Sequence, residues 1–408
     1  MIEYGLLGET LRHSFSPQLH RAFADYDYQL LPTPRNELNR LFAERRFRGL
    51  NVTMPYKQAV IPLCDELDDR ARRIGAVNTV VNRGGRLIGY NTDIDGLLFM
   101  ARRSGISLKD RKVLILGSGG TSRTAMAAAK ECGASAIIII SRGGENNYNN
   151  LHRHSDAEVI INTTPVGMFP HCGRSPVDLT LFPALRGVLD AVYNPLRTAL
   201  YFQAETLGIP CSCGLPMLTA QARRAVELFT GTVISDERTE EVCTALHREL
   251  ENIILIGMPG CGKTTVAAAL SRKTGREMID VDAMIEQHAG KPIPAIFADD
   301  GEARFRALEA ECIRQAGSRS GVIISTGGGC VTREENFAPL HQNGRILHLT
   351  RDLHLLPIDN RPVSQQTSAA ALWEQREPMY ARFADAVINN NGTIEETLLQ
   401  IEKELNRP

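Results

Sequence analysis

Short aliphatic runs recur along this chain and alternate with longer amphipathic stretches. KVLIL at 112–116, AIIII at 136–140 and NIILI at 252–256 read as buried strands. TAMAAAKECG at 124–133 reads as an alanine-rich helix. Strand–helix alternation of this kind, sustained almost throughout, predicts an α/β protein with parallel sheets. Three blocks emerge: 1–100 with short strands and polar loops, 101–213, and 251–408. Residues 215, 218, 222, 225, 226 and 229 are apolar at helical spacing. That helix is expected to pack back on the first block, so that 214–245 completes it. TEEVCTALHREL at 239–250 reads as a helix running almost directly into the strand at 252–256. No Gly/Pro/Ser tether intervenes, which predicts a stiff joint.

Composition removes several function classes. The 408 residues are 43% hydrophobic and 23% charged, ordinary values for a globular protein with room for two to four folding units. A net charge of −1 gives no global field to draw nucleic acid or membrane, so any anion must be held by local pockets. No basic stripe or aromatic platform suggests nucleic-acid binding. No stretch approaches a membrane span, and MIEYGLLGET does not read as a signal peptide. Nine cysteines without paired metal spacing read as reduced thiols of a cytoplasmic protein. Oligomeric state is not legible.

GMPGCGKTT, behind NIILI, fits the phosphate loop G-x-x-x-x-G-K-[ST]. Gly257, Met258, Pro259, Gly260, Cys261, Gly262, Lys263, Thr264 and Thr265 would cradle ATP through backbone N–H groups and the following helix end. Lys263 would reach the β/γ-phosphates and Thr264 would hold Mg²⁺. Cys261 reads as a small loop residue rather than a redox switch. MIDVDAMI places Asp280 and Asp282 on one face of an expected strand, one carboxylate for the metal and the other for a substrate hydroxyl. Then come GEARFRALE with Arg306, GVIISTGGGC with glycines at 327–329, NRP with Arg361, and REPMY with Arg376. These six motifs, in this order, resemble shikimate kinase, a P-loop α/β domain of the nucleoside-monophosphate-kinase type. The resemblance implies that Asp282, Arg306, Gly328, Gly329 and Arg376 hold shikimate. It implies that Lys263 and Arg361 neutralise the transferring phosphoryl group, that Asp282 orients the attacking hydroxyl, and that Asp280 with Thr264 seats the metal. The lid, DLHLLPIDNRP, is aliphatic where the family carries a basic residue over adenine.

A second glycine loop, GSGGTS, lies behind KVLIL and opens a helix, the start of a dinucleotide-binding βαβ unit. Gly117, Ser118, Gly119, Gly120 and Thr121 would meet the pyrophosphate. The next strand ends in Ser141 and Arg142, and a base there favours NADP over NAD. An ordinary solvated arginine is the bland alternative. In LRHSFSPQLH, Ser16 reads as a helix cap before Pro17, with Ser14 beside it, either a carboxylate site or a plain capping turn. GLNVTMPYK sets Asn51 and Thr53 on one side of a strand and Lys57 at an expected helix start; GAVNTVV and GYNTDIDG add Asn78, Asn91, Thr92 and Asp93. So many polar groups at strand ends suit a hydroxyl-rich ligand.

Together with INTTPVGM, VYNPLRT and GLPMLTAQA, these stretches resemble shikimate dehydrogenase over about residues 1–245. The resemblance implies a substrate domain followed by a Rossmann-like NADP domain, reducing 3-dehydroshikimate with NADPH. Lys57 and Asp93 would be the catalytic pair. Ser14, Ser16, Thr53, Asn78, Tyr193 and Gln221 would hold the substrate, and Thr163, Met168, Gly214 and Met217 would line the nicotinamide side. The segment 143–160 is short for a full crossover helix, which suggests a trimmed cofactor sheet and a looser adenosine seat. Two cradles in one chain make sense if the product of the first site, shikimate, is the substrate of the second. A degraded, ligand-sensing front half and a quinate-oxidising front half are the alternatives.

Overall fold

The computed structural model describes residues 2–11, 14–356 and 368–407. Two compact units divide the chain, Met1–Ala245 and Leu246–Pro408.

In the first unit the elements run β1 (Ile2–Gly8), α1 (Ser16–Phe23), β2 (Tyr28–Pro32), α2 (Leu38–Glu44), β3 (Phe47–Val52), β4 (Glu66–Leu67), α3 (Asp69–Ile74), β5 (Thr79–Arg83), β6 (Arg86–Tyr90) and α4 (Asp93–Arg103). There follow β7 (Lys112–Leu116), α5 (Gly120–Glu131), β8 (Ala136–Ile140), β9 (Val159–Asn162), β10 (Gly187–Asp190), α6 (Ala199–Thr206), β11 (Cys211–Ser212), α7 (Leu215–Thr230) and α8 (Asp236–Leu250). The unit boundary falls within α8.

The first sheet, in the order β2-β1-β3-β5-β6-β4, is mixed rather than parallel. β5 pairs antiparallel with both β3 and β6. The reason is local: Gly84 and Gly85, at φ 61° and 92°, form the two-residue turn that closes the β5–β6 hairpin. α7 packs against α4, α1, β3 and β5, its apolar stripe supplying Ala225 and Phe229 to the cluster around Tyr4.

The second sheet, β11-β10-β9-β7-β8, is wholly parallel. β8 lies at its edge, so Ile137, Ile138 and Ile139 are half-buried and only Ile140 is buried, which corrects the fully buried strand expected from AIIII. The crossover from β8 to β9 is a 3₁₀ stretch, Tyr148–His154, in place of an α-helix. Its polar residues organise it: Asn147 and Asn150 form a reciprocal capping box, and Leu151 anchors it in the core.

The second unit contains β12 (Asn252–Ile256), α9 (Lys263–Thr274), β13 (Met278–Asp280), α10 (Val281–Ala289), α11 (Ile293–Gly317), β14 (Ile323–Ser325), α12 (Phe337–His341), β15 (Gly344–Thr350), α13 (Ala369–Phe383), β16 (Ala386–Asn389) and α14 (Ile394–Leu405). Its sheet, β13-β14-β12-β15-β16, is parallel throughout. β12 is central and buried along its whole length, as NIILI requires. No helix among the described residues is long and apolar enough to cross a membrane.

Candidate active sites

In the first unit the polar residues at the strand ends converge. Lys57 lies in a run of turns after β3 rather than at a helix start, and Thr53 sits just past the end of that strand. Lys57 Nζ donates to Asp93 Oδ2 at 2.7 Å, and Asn78 Nδ2 donates to Asp93 Oδ1 at 2.9 Å. Asn78 Oδ1 accepts from the Thr92 N–H at 2.7 Å, so the residue that steers Asp93 is fixed by the backbone entering α4. Both oxygens of Asp93 thus have donors, and the carboxylate lies in the first turn of α4, where the helix end favours negative charge. Behind the pair, Tyr28 Oη donates to Asn51 Oδ1 at 2.7 Å and Asn51 Nδ2 donates to Thr79 Oγ1 at 3.0 Å. His20 stacks on Tyr28 with centroids 3.9 Å apart, and burial pushes its pKa down to about 3. Neither His20 nor Tyr28 was singled out in the sequence; Tyr28 alternates in a short strand whose polar tip gives no local signal.

The capping serine is shifted by one turn position. α1 starts at Ser16, its N-cap is Phe15, and Ser14 Oγ accepts the Ser16 N–H at 3.2 Å. Pro17 therefore occupies the second helical position, where its missing N–H is still harmless. The Phe15 ring meets Tyr193 edge-on at 6.0 Å, which joins the Ser14–Ser16 turn to the loop after β10. Gln221 donates to Leu218 O within its own helix, and Met217 is buried in the core beside Ile94 and Leu97, whereas Met168 is 43% exposed.

The GSGGTS loop opens α5, with Gly119 as N-cap. A Cβ at Gly119 or Gly120 would meet nothing within 4 Å, so the helix end faces open space able to take a pyrophosphate. Gly117 (φ 109°) is pressed against Thr163, whose Oγ1 would lie 2.8 Å from an added Cβ. Gly214 is similarly required: a Cβ there would collide with the Ala191 carbonyl. Arg142 is exposed after β8, and the loop it starts is tied down by Ser141 N–H on Asn146 O (3.1 Å), Asn147 Nδ2 on Gly144 O (3.1 Å) and Asn150 Nδ2 on Glu145 O (2.8 Å).

In the second unit Gly257, Gly260 and Gly262 adopt φ of 145°, 84° and 99°, left-handed backbone that favours glycine in the loop before α9. Lys263 Nζ is folded onto the carbonyls of Gly257 (2.9 Å) and Met258 (3.0 Å). Asn390 Nδ2 holds the Cys261 carbonyl at 2.7 Å. Thr264 Oγ1 lies 3.1 Å from Asp280 Oδ2 and 3.3 Å from Ser325 Oγ, an all-oxygen group suited to Mg²⁺. Asp280 and Asp282 do not share a strand face. β13 is only three residues long; Asp280 is the N-cap of α10, accepting the N–H groups of Asp282 and Ala283, and Asp282 stands in the first helical turn.

The turn Gly327–Gly329 is the hub of this site. A Cβ at Gly327 would lie 2.9 Å from Asp282 Oδ1 and 2.8 Å from Glu309 Oε1; one at Gly328 would press on Pro259; one at Gly329 would strike the Arg306 guanidinium. Arg376 Nη1 and Tyr380 Oη both donate to the Gly328 carbonyl, at 3.1 and 2.5 Å. Arg306 and Arg376 are buried, 7% and 5% exposed, so neither is a solvated helix residue. Arg306 Nη1 pairs with Glu309 at 2.7 Å. Burial raises the Glu309 pKa against the opposing pull of Arg306, and its Oε1 has no hydrogen-bond partner. In GEARFRALE Glu309 stands one helical turn after Arg306, the i,i+3 spacing of a helical ion pair. Arg361 lies outside the described residues.

Comparison with known proteins decides the family. The family described as shikimate dehydrogenase substrate binding domain matches residues 6–80. A shikimate dehydrogenase (NADP(+)) from Clostridium perfringens is 32% identical over 259 residues, covering 58% of this chain and 95% of its own. The chain belongs to the shikimate dehydrogenase family. The shikimate kinase family matches residues 259–406, so the chain also carries a shikimate kinase domain. Among solved structures, a chorismate mutase/shikimate 5-dehydrogenase fusion protein from Clostridium acetobutylicum is 32% identical with a TM-score of 0.58, covering 60% of this chain and 97% of its own. A shikimate 5-dehydrogenase from Thermus thermophilus in complex with NADP(H) and shikimate is 33% identical with a TM-score of 0.55, covering 60% of this chain and 99% of its own. In this shikimate dehydrogenase–kinase fusion the Lys57–Asp93 pair lies within the dehydrogenase part and the glycine hub within the kinase part.

Proposed function

We infer that this bifunctional enzyme reduces 3-dehydroshikimate to shikimate with NADPH and then phosphorylates shikimate to shikimate 3-phosphate with ATP and Mg²⁺. The observation that carries the reading is the presence, in one chain, of a hydrogen-bonded Lys57–Asp93 pair and a phosphate loop packed on a turn that gathers two arginines. NADPH supplies the hydride and Mg·ATP the phosphoryl group. Lys57 would deliver a proton to the alkoxide oxygen formed from the ketone, with Asp93 aiming the ammonium and Asn78 fixing the far carboxylate oxygen. Ser14, Ser16, Thr53, Tyr193 and Gln221 would hold the remaining polar groups of the substrate. Arg306 and Arg376 would clamp the shikimate carboxylate, and Asp282 would orient the attacking hydroxyl. Lys263 and Arg361 would neutralise charge on the transferring group, with Thr264 and Asp280 seating Mg²⁺.

A coupled assay from 3-dehydroshikimate tests this. Oxidation of NADPH with no ATP present, followed by ADP release once ATP and Mg²⁺ are added, is the expected result. Failure of either half removes that half of the function.

A further inference from the structure

In the second sheet the chain turns from β7 through α5 to β8 on one side, then returns to β9 on the other. β7 and β9 are neighbours, so the switch point lies between them, and ligands of open parallel sheets bind in the crevice beyond the strand ends at such a point. The loops that border it start at Gly117 and Thr163. The loop after β10 lies beside them, and a buried carboxylate ties the two latter loops together. Asp190, 1% exposed, accepts from Asn162 Nδ2 (2.9 Å), from the Val192 N–H (3.1 Å) and from Thr198 Oγ1 (2.7 Å). Asn162 in turn accepts from both the N–H and the hydroxyl of Thr164, at 3.0 and 2.7 Å. The network therefore fixes the first residues of the 163–168 loop and both ends of the 191–198 loop. It also fixes Ala191, whose carbonyl leaves room only for glycine at 214.

We propose that Asp190 is a positioning residue for the nicotinamide half of the dinucleotide. Its carboxylate sets the two loops at the height the switch-point crevice requires, and it contributes nothing to the adenosine half held near Ser141 and Arg142. The inference rests on the dehydrogenase reading above. Asparagine at 190 keeps the shape but turns one acceptor into a donor facing the Thr198 hydroxyl or the Asn162 amide.

The test uses the full chain carrying Asp190→Asn, and separately Thr198→Val with Thr198→Ser as the conservative control. Loss of one hydrogen bond to a charged group corresponds to about a tenfold loss of affinity. The expected result is that the dissociation constant and KM for NADPH rise about tenfold in D190N and T198V. The affinity for 2′,5′-ADP, a probe of the adenosine end alone, stays within twofold, and T198S recovers wild-type values. Equal weakening of NADPH and 2′,5′-ADP, or no change in either for both D190N and T198V, overturns the inference. Wild-type turnover of NADPH with 3-dehydroshikimate, measured alongside, reads the dehydrogenase function by itself. Its absence would overturn both readings, whereas its presence with unchanged variants would overturn only this one.

Discussion

Replacing Lys57 with methionine separates chemistry from folding. The two side chains of the pair are 23% and 12% exposed, so water already screens part of their attraction. Asp93 keeps its 2.9 Å bond from Asn78 and its place in the first turn of α4. A partly screened pair contributes about 1 kcal/mol, and the helix end returns about 0.5 kcal/mol to the remaining carboxylate. Stability should therefore fall by no more than about 1 kcal/mol, a shift in Tm of a few degrees for a unit of this size. Catalysis should fall far more. A positioned general acid contributes about 10²–10⁴ in rate, or about 3–5 kcal/mol of barrier. The assay is NADPH absorbance with saturating 3-dehydroshikimate, with NADPH binding and thermal unfolding of the same preparation as the control that the first unit is folded. A Lys57→Met enzyme whose kcat stays within threefold of wild type would refute the assignment of the proton to this residue.

Other consequences follow from the same geometry. Arg142→Ala should raise the KM for NADPH about tenfold while leaving that for NADH unchanged, measured as the ratio of the two specificity constants. Glu309→Gln should raise the KM for shikimate in the kinase reaction about tenfold with the KM for ATP unchanged, because Arg306 loses its 2.7 Å ionic partner beside the glycine hub. Chelation of Mg²⁺ should abolish phosphorylation and leave NADPH oxidation intact, since the Thr264–Asp280 oxygens belong to the second unit alone. Burial pushes the Asp190 pKa up to about 6 against the opposing hydrogen bonds from Thr198, Val192 and Asn162. Its folded pKa is raised above the unfolded value, so its contribution to stability is fully present below about pH 4 and is lost as pH rises through about 6. In urea titrations wild type should gain on Asp190→Asn by up to about 3 kcal/mol between about pH 8 and pH 4; a constant difference would contradict the shift.

Much of this architecture was legible because the signals are short-range. A phosphate loop is contiguous, and its glycines are forced by backbone geometry that any reader of the sequence can supply. The inner strands of the second and third sheets, β7 and β12 above all, are buried on both faces and so appear as unbroken aliphatic runs. The rest depended either on contacts between distant segments or on local patterns that fit two structures equally well. The hydrogen bonds of Asp190 reach Asn162 and Thr198, and nothing at 190 announces a carboxylate with three donors. Asp282 fell in a helix because Asp280 caps it, and DVD alternation reads equally well as a strand or as a cap followed by a first turn. The first sheet is mixed because Gly84-Gly85 closes a hairpin, a two-residue signal that the strand–helix alternation around it hides.

The two cradles differ because the charges they face behave differently. A dinucleotide pyrophosphate enters and leaves with its charge unchanged, so the open end of α5 at Gly119 and Gly120 would suffice for it, with no lysine in the loop. A triphosphate that gives up its end gathers charge on bridging and terminal oxygens as the bond breaks. It needs cations at that point, and Lys263, at the start of α9 and folded onto the loop's carbonyls, would supply one. The same contrast runs through the substrate pockets. Ser14 and Ser16 would hold the shikimate carboxylate through hydroxyls, which bind weakly enough to let a product go. Arg306 and Arg376 are buried guanidiniums, already held by Glu309 and by the Gly328 carbonyl, and would offer a planar anion charged, pre-oriented donors. Shikimate should therefore bind more tightly in the second site than in the first, so that the difference in carboxylate recognition by itself draws the intermediate forward.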